Sequence, residues 1–192
     1  MKLNNTYYLL RHGEAESNAQ NRCSSWPELF ENHLTRQGKE QVAVALHTLK
    51  NIPVDYIFCS PLTRTQETAM IVGKKYAIQP IIDKRLREIS FGIFNGKSIE
   101  EFGDYFKERG GQLKRKAPEG ESYSQVQKRV VEFFRGVNKN YSGKTIIIVS
   151  HQAPLLLLYG YLKKDSIAES IKPLESVDSE KRIRRGEVVK VN

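Results

Sequence analysis

Two histidines directly follow apolar runs that are typical of β-strands. His12 ends one such run and His151 ends another, while Arg11 precedes the first histidine and Arg64 follows a third run. In an open α/β sheet, ligands bind at the edge where the carboxyl ends of the parallel strands meet. We therefore expect these four side chains to meet at one site.

A site of two guanidinium groups and two imidazoles suits a phosphoryl group. Guanidinium forks bind phosphate oxygens in pairs, and the charges of Arg11 and Arg64 lower the proton affinity of a nearby histidine. A neutral His12 is then a nucleophile near neutral pH, able to attack phosphorus and hold the group as phosphohistidine. The missing Cβ of Gly13 would let backbone and phosphate approach closely.

Such a reaction also needs an acid that protonates the leaving alkoxide and a base that deprotonates water, and one carboxyl group can do both. Glu88 is the first candidate because it follows a strand-like segment and precedes a glycine-rich loop. Glu14, next to the histidine motif, is the second. Taken singly, each candidate has a non-catalytic interpretation: a histidine at a strand end is structural, Arg64 is a surface residue of a helix, and Glu88 is a solvated acid in a loop. Only the joint pattern at three strand ends favours catalysis.

The elements that must position these residues alternate between strand-like runs and segments of helical periodicity, which indicates an α/β fold with a mostly parallel sheet. Strands are predicted at Thr6–Leu10, Tyr56–Cys59, Gln79–Ile82, Thr145–Val149 and Glu187–Val191. Helices are predicted over Thr35–Lys50, after the capping box of Ser122 and Gln125, and near Ala153. A further helix is predicted with Ser60 as its N-cap and Pro61 at its first position.

The chain has 192 residues, of which 39% are apolar and 28% charged, the balance of a soluble globular protein. This length predicts one domain over residues 1–192, with an irregular lid or substrate insertion at about 92–120. No apolar run approaches the roughly 20 residues of a membrane span, and the N-terminus lacks a signal-peptide core. Cys23 and Cys59 fit reduced thiols. We expect a cytoplasmic protein with no membrane partner.

The net charge of +9 favours anionic partners. Two basic segments, Lys114–Lys116 and Lys181–Arg185, are candidates for contact with a polyanion. Aromatic residues are not interleaved with them, and no nucleic-acid-binding motif is present in the sequence. A non-enzymatic RNA-binding module is the alternative from a different functional class. We expect no nucleic-acid partner and interpret the basic residues as attracting phosphorylated substrates.

Together the motifs resemble the histidine phosphatase superfamily, in the branch that includes cofactor-dependent phosphoglycerate mutase. They follow the family's order over about residues 6–160: Leu10–Glu14 with Asn18, Ser60–Ala69, Leu86–Glu88 leading to Asn95 and Gly96, and Val149–His151. The resemblance implies a three-layer α/β/α sandwich and a small phosphorylated substrate. It implies no metal and no cofactor. A homodimer is compatible with it, because dimers occur among relatives.

The resemblance also implies a role for each matched residue. His12 is the phosphorylated nucleophile, Arg11 and Arg64 grip the phosphate, and Glu88 donates the proton. His151 donates a hydrogen bond to a phosphate oxygen in the transition state. The expected substrate-binding residues are Asn18, Arg22, Ser24, Ser25 and Gln152.

Two reactions fit this resemblance, hydrolysis of a phosphomonoester and transfer of phosphate between phosphoglycerates. The segment Asn21–Trp26 resembles the substrate loop of the mutases. Against a mutase, Ile99 stands where mutases carry a lysine, although Lys97 is near. Gln152 and Ala153 replace their Gly-Asn pair, and the insertion and tail are short. Lys114–Lys116 is an unaligned candidate for the paired arginines of the mutase insertion. A short lid admits water to a phosphohistidine. We expect a hydrolase, with a phosphoglycerate mutase as the alternative.

If Lys114, Arg115 and Lys116 attract the substrate, replacing all three with Ser should raise KM and flatten its dependence on salt, because long-range attraction is screened by ions. Steady-state kinetics at several ionic strengths test this expectation. An unchanged KM at low salt would count against it.

Overall fold

A five-stranded sheet in the order β3-β2-β4-β1-β5 lies at the centre of the computed structural model, which describes residues 2–107, 111–113, 115–174 and 182–191. Strands β1 to β4 are parallel, and β5 pairs antiparallel with β1. The predicted, mostly parallel sheet is therefore confirmed. The strands are β1 Thr6–Arg11, β2 Tyr56–Cys59, β3 Ile81–Ile82, β4 Thr145–Ser150 and β5 Val188–Val191.

Helices cover both faces of this sheet. The helices of the described chain are α1 Glu16–Ala19, α2 Arg36–Thr48, α3 Thr63–Tyr76, α4 Ile99–Lys107, α5 Tyr123–Asn140, α6 Gln152–Lys163 and α7 Ile167–Ile171. Short 3-10 turns lie at Lys84–Leu86, Gly92–Phe94 and Lys172–Leu174. In the described ranges, no helix combines the length and apolar character needed to cross a membrane.

The alternation of side chains along the strands divides the core into two layers. Leu9 and Ile148 face one side of the sheet, where they belong to a cluster built with α5 and α6. Leu10 and Val149 face the other side and pack with α2 and α3. The result is the predicted α/β/α sandwich, with β4 buried at its centre.

The helix after β2 begins later than the sequence predicts. Leu62, not Ser60, is the N-cap of α3, and it makes no side-chain capping bond. The helix starts at Thr63, so Pro61 lies before it rather than at its first position. The prediction was wrong because the Ser60 hydroxyl accepts from the amide of Leu62, which precedes the helix, and contacts His151. The first helical amide, that of Thr63, donates to Glu28 instead. By contrast, the capping box of Ser122 at the start of α5 is confirmed.

The stretch predicted to be irregular contains the amphipathic helix α4. Phe102 and Tyr105 of α4 pack with Phe94 and Phe106 in a small aromatic cluster outside the two main layers. The rings of Phe94 and Phe102 lie 5.7 Å apart at their centroids. This cluster, rather than the sheet, stabilises α4. The sequence did not reveal the helix because its stability depends on packing with residues outside it.

Two residues of the predicted basic segments, Lys114 and Lys181, lie outside the described residues.

A backbone contact joins α2 to the loop after β1. A Cβ on Gly13 would lie 2.3 Å from the carbonyl oxygen of Gly38, and a Cβ on Gly38 would lie 2.0 Å from that of Glu14. Both distances are too short for a real contact. The absent side chain of Gly13 therefore makes room for α2, a reason that differs from the predicted close approach of phosphate.

Two of the helical glycines, Gly38 and Gly136, should respond in opposite ways to substitution by Ala. At Gly136 a Cβ has no atom within 4 Å, so Gly136→Ala should stabilise by about 0.5–1 kcal/mol through helix propensity. Gly38→Ala should destabilise by about 1–3 kcal/mol through overpacking. Urea unfolding measures both changes. Midpoints that move in the same direction would contradict the backbone contact.

Candidate active site

The carboxyl ends of β1 and β4 bring the two predicted histidines together. The amide of His12 donates to the carbonyl of Ser150 at 3.2 Å, which ties the two strand ends to each other. The rings of His12 and His151 lie 5.1 Å apart at their centroids. They are 2% and 0% exposed, respectively. The edge of the sheet thus holds a buried pair of imidazoles.

The hydrogen bonds of His12 identify its reactive atom. Its Nδ1 lies 2.6 Å from the carbonyl oxygen of Gly13. Because a carbonyl only accepts, this contact assigns the proton of the neutral ring to Nδ1. Nε2 then carries the lone pair, and the Nε–H of Arg64 donates to it at 3.2 Å. His12 therefore presents an unprotonated nitrogen to a cation.

Burial and charge both keep this imidazole neutral. Removal from water lowers the pKa of His12 well below its usual value, and the charges of Arg64 and Arg11 lower it further. The pKa of His151 is also far below its usual value, first because of burial and then because of Arg64. Two basic nitrogens are therefore available near neutral pH.

Arg64 is held in place by the loop between α1 and α2. Its guanidinium is 3% exposed and donates to the hydroxyl of Ser24 at 3.1 Å and to its carbonyl at 3.0 Å. Glu28 lies 3.5 Å away and also caps α3 through the amide of Thr63. Burial lowers the pKa of Arg64 to about 10, so it stays cationic. Ser24, predicted to bind substrate, supports Arg64, and sequence reasoning missed Glu28.

Arg11 is the second guanidinium of the site. It donates to the side-chain oxygen of Gln152 and, at 3.0 Å, to the carbonyl of Ile183. Burial, followed by the charge of Arg185, lowers the pKa of Arg11 to about 9, so the group remains charged at neutral pH. Among the described residues, Arg11 Nε and Gln152 Nε2 are buried without a partner. Such unpaired donors are rare in protein interiors and fit an anion as ligand.

Ser60 orients the second histidine. Its hydroxyl lies 2.8 Å from Nε2 of His151 and also accepts from the amide of Leu62. Nδ1 of His151 is buried, with no partner in the described part of the chain. Sequence reasoning treated Ser60 as a helix cap and missed this role. Its position directly after a strand, as for both histidines, was the available signal.

Glu88 is a buried acid, as a proton donor should be. It is 9% exposed, and burial raises the pKa of its carboxyl, although Arg64 and Arg11 act in the opposite direction. Its Oε1 accepts from the amide of Ile89 at 2.9 Å. Arg129 holds the backbone carbonyl of Glu88 at 3.1 Å. The carboxyl is thus fixed near both guanidinium groups.

The second candidate acid is engaged elsewhere. The carboxylate of Glu14 accepts from the hydroxyl of Thr35, the N-cap of α2, at 2.9 Å. Asn18 uses its side-chain oxygen at the start of α1, where it accepts from the amide of Ala15 at 3.1 Å. Glu88 therefore remains the better placed of the two acids.

The remaining predicted substrate residues join the α1–α2 loop to the glycine-rich segment. Ser25 accepts from the amide of Phe91 at 3.3 Å. Arg22 donates to the carbonyl of Gly96 at 2.9 Å and lies over the ring of Phe30.

The described residues contain no group of three His, Cys, Asp or Glu that could hold a metal ion.

The sequence and the fold are similar to those of known proteins. The model of the histidine phosphatase superfamily, branch 1, matches residues 7–173. Phosphoserine phosphatase 1 of Hydrogenobacter thermophilus is 30% identical over 159 residues, covering 79% of this chain and 72% of the relative. Probable phosphoglycerate mutase GpmB of Escherichia coli is 30% identical over 149 residues, covering 75% and 68%. The alpha-ribazole phosphatase structure from Shigella flexneri has a TM-score of 0.78 at 26% identity, covering 97% and 90%.

The two buried imidazoles should resist protonation, whereas exposed His33 should not. The carboxylate of Glu67 raises the pKa of His33 above its usual value. At about pH 6.5, where a free imidazole is half protonated, we expect His33 to be mostly charged and His12 and His151 to be neutral. Nitrogen-15 NMR titration of the imidazoles measures each state. A His12 that titrates like a free histidine would contradict the assignment.

Proposed function

The chain belongs to branch 1 of the histidine phosphatase superfamily, and we propose that it hydrolyses phosphomonoesters of small metabolites through a phosphohistidine on His12. The observation that carries this proposal is the buried, neutral His12, whose Nε2 faces the guanidinium of Arg64. Relatives named as phosphatases of phosphoserine and of alpha-ribazole support the reaction class.

In the first step, the phosphoryl group enters between the cations, and its oxygens accept from Arg11, Arg64 and His151. The lone pair of His12 Nε2 forms a bond to phosphorus as the bond from phosphorus to the ester oxygen breaks. The electron pair of that bond leaves with the alkoxide, which takes the proton of Glu88. The Nδ1–H bond to the carbonyl of Gly13 stabilises the charge that develops on the ring.

In the second step, a water molecule attacks the phosphohistidine. Its proton passes to the carboxylate of Glu88, its oxygen bonds to phosphorus, and the P–N electron pair returns to Nε2 of His12. Inorganic phosphate leaves, and both residues regain their starting protonation states. No step requires a metal ion, because the guanidinium groups supply the positive charge on the phosphate oxygens.

Hydrolysis rather than phosphate transfer is proposed because of the residues that surround the site. Ile99, at the position of the mutase lysine, is 43% exposed at the start of α4 and brings no charge. Gln152 is engaged by Arg11, so the residue after His151 serves the phosphate site itself. At these two positions the chain lacks the residues that mutases carry, which supports transfer of the phosphoryl group to water rather than to a second phosphorylated substrate.

His12→Ala should reduce phosphate release by at least about a thousandfold, because loss of a nucleophile removes the covalent route. His47→Ala, which removes an exposed histidine of α2, should leave the rate unchanged. Malachite-green assays across a panel of phosphorylated metabolites, with and without a chelator, measure this. Turnover by His12→Ala at the normal rate would contradict the mechanism.

The intermediate can be trapped with labelled substrate. A phosphohistidine is stable in alkali and labile in acid, so protein-bound label with that stability, absent from His12→Ala, is the expected result. The mutase is tested with 3-phosphoglycerate and bisphosphoglycerate. Label that moves to the second phosphoglycerate faster than it appears as inorganic phosphate would favour the mutase.

A further inference from the structure

The loop that carries Glu88 cannot orient the acid through regular structure of its own. Residues 87–91 lie between two short 3-10 turns and belong to no helix or strand. The carboxyl of Glu88 accepts from the amide of Ile89, which is a contact within the same loop. The position of the acid therefore depends on groups that hold the backbone of this loop from outside.

The guanidinium of Arg129 holds this backbone from α5. Its Nη1 donates to the carbonyls of Arg85 and Arg87, both at 2.7 Å, and its Nη2 donates to that of Glu88 at 3.1 Å. Arg129 is 8% exposed, and the next residue, Val130, is fully buried in the main core cluster. The core thus fixes the helix from which these bonds are made.

Glu121 extends this contact to the other side of the acid. Its carboxylate accepts from Nε and Nη2 of Arg129 at 3.0 and 2.9 Å and from the amide of Ser90 at 3.0 Å. Arg87 donates to the same carboxylate at 2.7 Å. One pair of side chains, Arg129 and Glu121, therefore holds the backbone before, at and after Glu88.

The bonds of Arg129 use every donor that its side chain has. Of the five N–H groups of a guanidinium, three reach backbone carbonyls and two reach Glu121. A lysine ammonium has three donors on a flexible stem and cannot reproduce this planar set. Lysine would keep the charge and lose the geometry, so the two contributions of Arg129 can be separated.

From these contacts we propose that Arg129, supported by Glu121, is a positioning residue that fixes the carboxyl of Glu88 where it protonates the leaving alkoxide. Arg129 acts through the backbone of Glu88 and not by contact with the substrate. The inference rests on the proposed phosphatase function and adds the residue on which its proton transfer depends.

The leaving group distinguishes positioning of an acid from damage to the fold. An alkoxide needs a proton as it leaves, whereas p-nitrophenolate leaves without one because its charge is delocalised. Arg129→Lys should lower kcat/KM for glycerol 3-phosphate by about tenfold or more and leave that for p-nitrophenyl phosphate within about threefold of the wild type. Equal losses on both esters would overturn the proposal.

Arg135→Lys is the matched control, because it is the same substitution on α5 at an exposed arginine that donates to the hydroxyl of Tyr161. It should leave both esters unchanged. Glu121→Gln is the second variant. Its amide keeps the size of the side chain but has one acceptor oxygen for four donors, so the same selective loss on glycerol 3-phosphate is expected.

A double-mutant cycle tests whether Arg129 acts through Glu88. Glu88→Gln removes the acid and should itself cause a selective loss on glycerol 3-phosphate. Adding Arg129→Lys to Glu88→Gln should then change kcat/KM for this ester by less than about threefold, because the group through which Arg129 acts is already absent. Losses that multiply would contradict the positioning role.

Carbon-13 NMR titration of the Glu88 carboxyl tests the inference without turnover. In the wild type, burial raises the pKa of this carboxyl. The charges of Arg64, Arg11 and Arg129 oppose that shift. Arg129→Lys keeps the last of these charges, so a carboxyl that leaves its buried position should show a pKa closer to that of an ordinary glutamate.

An unchanged pKa of Glu88 in folded Arg129→Lys would overturn the role of Arg129, even if the wild type hydrolyses both esters. A wild type that releases phosphate from neither ester would instead contradict the proposed function. The titration still decides in that case whether Arg129 fixes the carboxyl, so the two failures are distinguishable.

Discussion

The contact between the Arg64 guanidinium and Nε2 of His12 is the constraint on which the site depends. Placing a permanent cation 3.2 Å from an imidazole nitrogen is compatible only with a neutral ring that directs its lone pair at the donor. Burial of both groups strengthens that requirement, because the contact is not screened by water. The rest of the site serves to keep this pair buried without leaving the cation unsupported.

Support for the cations comes from elements far apart in the chain. Ser24 and Glu28 hold Arg64 from the loop between α1 and α2, while Gln152 of α6 and the carbonyl of Ile183, before β5, hold Arg11. A buried guanidinium without such acceptors would be costly. The donors that remain unpaired within the described ranges point to an anionic ligand rather than to a packing defect.

Burial shifts the pKa values of the two groups that the proposed mechanism needs in opposite directions. It lowers the pKa of His12 and raises that of Glu88, so each favours its neutral form. A neutral imidazole is a nucleophile and a neutral carboxyl is a proton donor. Burial in one site thus favours the neutral form of both groups that the proposed reaction needs, while the guanidinium groups remain charged there.

The sequence by itself determined the strand positions, the parallel sheet and the residues at the strand ends, because apolar runs and the residues directly after them are local features. The order of residues along the chain was therefore enough to assign His12, His151 and Arg64 to one edge of the sheet. The tertiary structure alone decided the contacts of Ser60 and Glu28, the packing of α4 and the reason for Gly13. Each of these depends on a partner distant in sequence, such as His151 for Ser60 or Gly38 for Gly13. Local propensity carries no information about such partners, since they meet only when the layers pack.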